Sequence, residues 1–231
     1  MASERDLVTH IIFDLDGLLI DTESLYTEAH VKACEKFGKT YTMEIKVKTM
    51  GMKHEFAVAY LLQQLGLDGE VSVDEYSNVY VPILYDLLPR NSMLPGAIEL
   101  IRYFSAKNIP MAICTGSNRK EFELKTQNHH EMLKLIPIRV LTGDDPEVKR
   151  GKPDPDAFIV TMNRFKVKPK CAKNVLVFED APNGVRAAVA AGMQVVMVPD
   201  LTYSKPPEDV ANKISCVLTT LREFDPSTFG L

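Results

Sequence analysis

Two carboxylates, Asp14 and Asp16, stand one residue apart directly after the apolar run HIIF. One interpretation is a strand followed by a tight turn, because Asp-Gly is a favoured turn dipeptide and Gly17 follows Asp16. The other is an acidic catalytic centre at the end of a buried strand. Taken alone, the two acids favour the turn, since short motifs often match by chance. Polar residues elsewhere in the chain must therefore decide between the two.

Polar residues also follow two later apolar runs, and a lysine stands between these runs in the stretch GKPDPD. They are Thr115, Gly116 and Ser117 after PMAIC, Lys152 in GKPDPD, and Glu179 and Asp180 after NVLVF. The carboxyl ends of parallel strands meet at one edge of a sheet, and ligands bind there in open α/β proteins. We therefore expect these residues to gather near Asp14 and Asp16.

Such a gathering would bring several negative charges into a small volume. Two carboxylates about 4 Å apart repel each other by roughly 4 kcal/mol at an effective dielectric constant near 20. A hard cation relieves this repulsion, and ligands that are all oxygens favour Mg²⁺ over zinc or copper. A phosphate dianion could then bind, held by the Thr115 hydroxyl and by the N–H groups of Gly116 and Ser117 at the start of a helix. A carboxylate that attacks phosphorus would form an aspartyl-phosphate.

The apolar runs that must position these residues are continuous rather than alternating, as in strands buried on both faces. They lie at 10–15, 110–115, 138–142, 174–180 and 194–200. Helical patterns follow the second, third and fourth runs, at 118–127, 155–165 and 183–191. Alternation of strand and helix predicts a doubly wound, Rossmann-like parallel α/β sheet.

A long insertion interrupts this alternation, because the first strand ends near residue 15 and the next begins near residue 110. A strand–helix–strand crossover needs only about 10–30 residues. The insertion has helical patterns at 22–37, 53–65 and 73–88, with Tyr76, Tyr80 and Tyr85 as candidate core residues, and a fourth helix at 97–107 returns to the sheet. We predict a core domain of residues 1–20 and 95–231 and a helical-bundle cap domain of residues 21–94.

Composition excludes several classes of protein. The 231 residues are 45% hydrophobic and 25% charged, and the net charge of −4 argues against a general nucleic-acid or membrane-surface binder. The four cysteines lack metal-type spacing, so we expect reduced thiols. Since the N-terminal stretch lacks the apolar run of a signal peptide, we expect a cytoplasmic protein. No sequence pattern defines the oligomeric state, and a monomer is compatible with it.

The stretch FDLDG, the strand end at Thr115, Lys152 in GKPDPD and the acids of VFEDAPNG resemble the four motifs of the haloacid dehalogenase superfamily. The motifs occur in the same order, and the helical insertion resembles the type 1 cap of that superfamily. The resemblance extends over essentially the whole chain. The resemblance implies a phosphatase, and it favours the catalytic interpretation of Asp14 and Asp16 over the turn.

The resemblance also implies roles for individual residues. Asp14 would be the nucleophile and a Mg²⁺ ligand. Asp16 would protonate the leaving alcohol and then activate water, while its main-chain carbonyl binds Mg²⁺. Thr115 would hold phosphoryl oxygens, and Lys152 would neutralise charge in the transition state.

Asp180 would complete the metal site, and Glu179 would either bind the metal directly or support it through its neighbours. The turn GMKHE, residues 51–55, resembles the specificity loop of type 1 caps. Its Lys53, followed by His54, is the candidate for contacting the substrate. An exposed lysine at a helix start is an equally good interpretation of Lys53.

Within the superfamily, the stretches GDDPEVKRGKPDPDAF and VFEDAPNGVRAAVAAGMQVVMVPD resemble phosphatases of small metabolites most closely. The expected substrate is pseudouridine 5′-phosphate. Glycerol phosphate, 2-deoxyglucose 6-phosphate and a sugar phosphomutase reaction of the β-phosphoglucomutase type are the alternatives.

Overall fold

A computed structural model describes residues 7–49 and 54–231 of the chain. The chain divides into two compact units. The core unit consists of Met1–Asp21 and Ser92–Leu231, and the helical unit is Thr22–Asn91.

The described part of the helical unit contains four α-helices. They are α1 (Glu23–Lys36), α2 (Met43–Thr49), α3 (His54–Gln64) and α4 (Val73–Leu87). Helix α4 begins at a capping box, in which the Ser72 hydroxyl accepts from the Glu75 N–H and the Glu75 carboxylate accepts from the Ser72 N–H. Tyr76 and Tyr80 of this helix are buried. The sequence pattern did not predict α2, which is only two turns long.

The core unit contains a six-stranded sheet. Its strands are β1 (His10–Phe13), β2 (Met111–Thr115), β3 (Ile138–Leu141), β4 (Val175–Glu179), β5 (Gln194–Met197) and β6 (Cys216–Val217). Their spatial order is β3-β2-β1-β4-β5-β6, and every neighbouring pair is parallel. The predicted doubly wound parallel sheet is thus confirmed. Strand β6, which has two residues, is too short to leave a pattern in the sequence.

Helices cover both faces of this sheet. They are α5 (Ala97–Ala106), α6 (Arg119–Thr126), α7 (His130–Leu135), α8 (Asp156–Arg164) and α9 (Pro182–Ala190). Successive residues of β1 point to opposite faces, so Phe13 joins a cluster with Phe104 of α5, and Ile12 joins one with Phe158 of α8. Burial on both faces explains the continuous apolar runs of the strands.

None of the helices within the described ranges is both long and apolar enough to cross a membrane. All four cysteines are free thiols, as expected. Cys34 and Cys114 are fully buried. The core unit therefore depends on packing and hydrogen bonds rather than on covalent cross-links.

Candidate active site

The carboxyl ends of three adjacent strands carry most of the predicted site. β1 lies between β2 and β4, and Phe13 is level with Ile113 on one side and Phe178 on the other. The Asp14 N–H continues the ladder by donating to the Phe178 carbonyl at 3.0 Å. Because all three strands are parallel, Asp14, Thr115 and Glu179 reach the same edge of the sheet.

Lys152 links two acids at this edge. Its Nζ lies 2.5 Å from Asp14 Oδ1 and 2.6 Å from Glu179 Oε1, and it donates to the Cys114 carbonyl at 3.1 Å. Burial by itself would lower the pKa of Lys152, but Asp14 and Glu179 outweigh it and hold that pKa well above its ordinary value. Burial raises the pKa of the Asp14 carboxyl, and the charge of Lys152 opposes that rise. The three groups form a buried ion-pair network.

Glu179 is almost fully buried and uses both carboxylate oxygens. Oε1 accepts from Lys152, while Oε2 accepts from the N–H groups of Asp180 and Ala181 at 3.1 and 3.2 Å. Gly184 makes room for it, because a Cβ at that position would lie 1.8 Å from Glu179 Oε1. Glu179 therefore holds Lys152 and the start of α9 in place.

The Asp16 side chain accepts hydrogen bonds at both oxygens. Oδ2 accepts from the hydroxyls of Thr115 and Ser117, each at 3.1 Å. Oδ1 lies 2.7 Å from Nζ of Lys125, a fully buried lysine on α6. The predicted acid/base is thus held by the last residue of β2 and by groups that follow this strand in the chain.

Asp180 lies against the turn that follows Asp16. Its Oδ2 is 2.5 Å from the place that a Cβ of Gly17 would occupy, and Gly17 has a φ of +73°. A side chain at position 17 would therefore be strained and would collide with the Asp180 carboxylate. Glycine here allows that carboxylate to approach the main chain beside Asp16.

The expected metal ligands are all oxygens, which suits a hard cation such as Mg²⁺. They are the carboxylates of Asp14 and Asp180 and the main-chain carbonyl of Asp16. Within residues 7–49 and 54–231, no three His, Cys, Asp or Glu side chains come together as a metal-binding group. A set of two carboxylates and one carbonyl agrees with that finding, since it needs only two acidic side chains.

The segment after β2 provides the predicted phosphate-binding groups. Gly116 is exposed, and a Cβ there would meet no atom within 4 Å. The Ser117 N–H donates to Thr115 Oγ1 at 3.1 Å, so it is already used within the loop. Open space at Gly116 leaves room for a phosphoryl group to approach the main chain.

Two predicted site residues belong to the helical unit. Lys53 lies outside the described residues. His54 is the first residue of α3, where its exposed ring hydrogen-bonds the Ser77 hydroxyl at 2.8 Å and stacks on Tyr80 at 5.9 Å. Their contact with a substrate stays a prediction.

Lys125 and Gly184 belong to the site but were not predicted from the sequence. Lys125 and Thr126 follow the buried Phe122 at spacings of three and four, so all three lie on the buried side of α6. A lysine on a buried helical face is a sequence pattern that could have identified it. Gly184 has no such pattern, because the need for glycine there comes from the folded position of the Glu179 carboxylate.

Comparison with known proteins identifies the family. Residues 11–198 match the model of the haloacid dehalogenase-like hydrolases. The "(DL)-glycerol-3-phosphatase 2" of Arabidopsis thaliana is 43% identical over 98% of this chain and 93% of that protein. The "Probable pseudouridine-5′-phosphatase" of Drosophila melanogaster is 42% identical over 97% of this chain and 94% of that protein.

A solved structure supports the fold. The crystal structure of CbbY from Rhodobacter sphaeroides in complex with phosphate superposes with a TM-score of 0.75, covering 94% of this chain and 96% of that one at 20% identity. The family predicted from the four motifs is confirmed. The chain belongs to the haloacid dehalogenase-like hydrolases, and it is a phosphoric monoester hydrolase.

Proposed function

We propose that this phosphatase of small phosphorylated metabolites uses Mg²⁺, forms an aspartyl-phosphate on Asp14 and acts on pseudouridine 5′-phosphate. The proposed chemistry rests on one observation, which is that Asp14 and Asp16, the two acids after β1, have different hydrogen-bond partners. Asp14 is ion-paired to Lys152 through Oδ1, whereas Asp16 accepts from two hydroxyls and Lys125. Two carboxyl groups in different environments can take different roles in one reaction.

In the first step, Asp14 Oδ2 attacks phosphorus, because Oδ1 is already bound to Lys152. A bond forms between Asp14 and phosphorus, and the ester bond between phosphorus and the leaving oxygen breaks. Asp16 gives its proton to that oxygen, so the product leaves as a neutral alcohol. Lys152 offsets the negative charge that gathers around phosphorus.

In the second step, Asp16 takes a proton from water while the water oxygen attacks phosphorus. The bond between Asp14 and phosphorus breaks, and inorganic phosphate leaves with Asp14 restored. The Thr115 and Ser117 hydroxyls and the Gly116 N–H bind phosphoryl oxygens in both steps. Asp16 thus returns to its protonated form for the next cycle.

Asp14, the Asp16 carbonyl and Asp180 would hold Mg²⁺, and Glu179 would act through its hydrogen bonds rather than as a ligand. When bound, Mg²⁺ supplies positive charge that offsets the phosphoryl group. Chelation with EDTA should therefore stop turnover, and added Mg²⁺ should restore it. An enzyme that keeps full activity in EDTA would contradict this part of the proposal.

Pseudouridine 5′-phosphate is supported by the similar stretches around Lys152 and Asp180 and by the Drosophila relative named for that substrate. Glycerol 3-phosphate is the second candidate, because the Arabidopsis relative named for it is as similar to this chain. Both substrates share the phosphoryl group, so the motif residues do not separate them. We assign recognition of the leaving group to Lys53 and His54.

The substrate test measures phosphate release from four esters with Mg²⁺ and with EDTA. These are pseudouridine 5′-phosphate, uridine 5′-phosphate, glycerol 3-phosphate and 2-deoxyglucose 6-phosphate. A Mg²⁺-dependent preference in kcat/KM for pseudouridine 5′-phosphate supports the proposal. A preference for glycerol 3-phosphate refutes the substrate and retains the chemistry, whereas isomerisation of a sugar phosphate without stoichiometric phosphate release indicates a mutase.

The mechanism is tested with Asp14→Asn. This change keeps the shape of the side chain and removes the attacking carboxylate, so kcat should fall by at least ~10⁴-fold. The exposed aspartate variant Asp68→Asn is the matched control and should retain wild-type kcat. Incorporation of phosphate from labelled substrate into the wild type, but not into Asp14→Asn, supports the aspartyl-phosphate.

A further inference from the structure

Lys125 is a buried lysine for which the proposed reaction has no role. Its side chain is only 1% exposed, and it lies in the last turn of α6 on the face that also buries Phe122. Its Nζ contacts Asp16 Oδ1 and donates to Ser117 Oγ, both at 2.7 Å. Since an ammonium group is costly to bury, these two acceptors must offset the loss of water.

Lys125 differs from the other donors to Asp16 in the number of hydrogens that it can donate. The hydroxyls of Thr115 and Ser117 each carry one hydrogen, and each oxygen lies 3.1 Å from Asp16 Oδ2, while Thr115 Oγ1 also lies 3.2 Å from Ser117 Oγ. When these hydroxyls donate to a phosphoryl group, they can no longer donate to Asp16. The Lys125 ammonium carries three hydrogens, so it can keep its contacts with Asp16 and Ser117 at the same time.

Burial also excludes direct contact between Lys125 and substrate. The side chain contacts the site at Asp16 and Ser117, and it has almost no exposed surface. Its effect on the reaction therefore passes through the residues around it, of which Asp16 and Ser117 belong to the site. Lys152, in contrast, contacts the nucleophile itself.

We propose that Lys125 is a positioning residue that holds the Asp16 carboxyl in place while a phosphoryl group occupies the Thr115 and Ser117 hydroxyls. This rests on the proposed function, since it assumes that Asp16 is the acid/base. Lys125 matters most in the second step, in which Asp16 must meet a water molecule rather than a bound leaving group. A misplaced Asp16 would slow hydrolysis of the aspartyl-phosphate.

The test uses p-nitrophenyl phosphate, whose leaving group departs as an anion without taking a proton. Formation of the aspartyl-phosphate then needs no acid, whereas its hydrolysis still needs Asp16 as base. For Lys125→Met we expect kcat to fall on the order of 10²-fold, because general acid–base catalysis contributes about 10²–10⁴-fold. We also expect a burst of p-nitrophenolate close to one per enzyme before the slow steady state.

The matched control is Phe122→Leu, which loosens packing on the same face of α6 without touching Asp16. It should lower the melting temperature, give no burst and leave kcat near that of the wild type. Lys125→Gln keeps a hydrogen-bonding end and serves as the second variant where Lys125→Met does not fold. A folded Lys125 variant with wild-type kcat, or with reduced kcat and no burst, overturns the proposal.

A double-mutant cycle measures whether the effect of Lys125→Met on kcat depends on Asp16, which a purely structural role would not require. If Lys125 acts through Asp16, Lys125→Met should cost little further kcat in an Asp16→Asn background. An equal loss in both backgrounds overturns the proposal. Failure of the proposed function is distinct, since Asp14→Asn would then stay active or the wild type would form no phosphorylated enzyme.

Discussion

The edge of the core sheet and the interior of the helical unit bury polar groups in opposite ways. At the sheet edge, Lys152 is ion-paired with Asp14 and Glu179. In the helical unit, the His30 ring packs against the rings of Tyr41, Tyr76 and Tyr80, and these four residues form an aromatic cluster. The His30 ring stacks on Tyr80 at 4.1 Å and on Tyr41 at 4.9 Å, and its Nδ1 hydrogen-bonds the Tyr76 hydroxyl at 2.9 Å.

The difference lies in the protonation state that each environment favours. Burial lowers the pKa of His30 to about 4, and the charge of the neighbouring His54 acts in the same direction. Lys152 stays charged because two carboxylates compensate it. The core site therefore depends on matched charges, whereas the aromatic cluster depends on a neutral ring. Removal of a charge should disrupt the first, and acid should destabilise the second.

Among the changes that test this comparison, Lys152→Met should have the largest effect, because it removes the positive charge that Asp14 and Glu179 share. Loss of one electrostatic group costs about 10²–10³-fold in kcat. Breaking a buried ion pair also costs about 3–5 kcal/mol of unfolding free energy. Phosphate release and urea unfolding measure the two effects, and the exposed lysine variant Lys149→Met is the control. Wild-type kcat in folded Lys152→Met would contradict the assigned role.

Gly184→Ala should sharpen the comparison, because it disturbs the charge network without removing a charge. The new Cβ cannot share space with the Glu179 carboxylate, so Glu179 must move away from Lys152. Misplacement by about 1 Å can cost 10²-fold in rate, and overpacking costs about 1–3 kcal/mol of stability. Gly151→Ala adds the same methyl group in open space and should be nearly silent in both measurements.

The aromatic cluster should respond to acid instead. An unfolded histidine binds a proton near pH 6.5, whereas folded His30 stays neutral down to about pH 4. Acid therefore favours the unfolded state, and the stability present above pH 6.5 is lost progressively as the pH falls towards 4, by about 2–3 kcal/mol.

Urea unfolding across this pH range tests the prediction. His30→Phe keeps a ring for stacking and removes the titration, so its stability should depend less on pH than that of the wild type. The exposed histidine variant His130→Gln should keep the wild-type dependence. An unchanged pH dependence in His30→Phe would refute the assignment to His30.

The smallest effect is expected at an exposed ion pair. Arg102 donates to both carboxylate oxygens of Glu131, at 2.7 and 2.8 Å, with both side chains more than half exposed. Water and salt screen such pairs, so Arg102→Met should barely change the unfolding midpoint or kcat. A loss of stability similar to that of Lys152→Met would show that burial does not explain the difference between ion pairs.

The sequence alone determined the fold class and predicted which residues gather at one edge of the sheet. Continuous apolar runs specify buried parallel strands, because each strand must be apolar on both faces. Asp14, Thr115 and Glu179 were predictable since they end or follow such strands and the topology takes every parallel strand end to one edge. Helix α2 and strand β6 were missed because their patterns are too short to stand out.

Only the tertiary structure decided how those residues are held. Lys125 is far from Asp16 in the chain, and Gly184 is required by the oxygens of Glu179 rather than by its own turn. The side-chain hydrogen bonds of Glu179 likewise depend on where Lys152 lies. The periodicity of hydrophobic residues in the sequence indicates which face of a helix or strand is buried. It does not record which distant side chain completes a hydrogen bond, because that pairing exists only after the chain has folded.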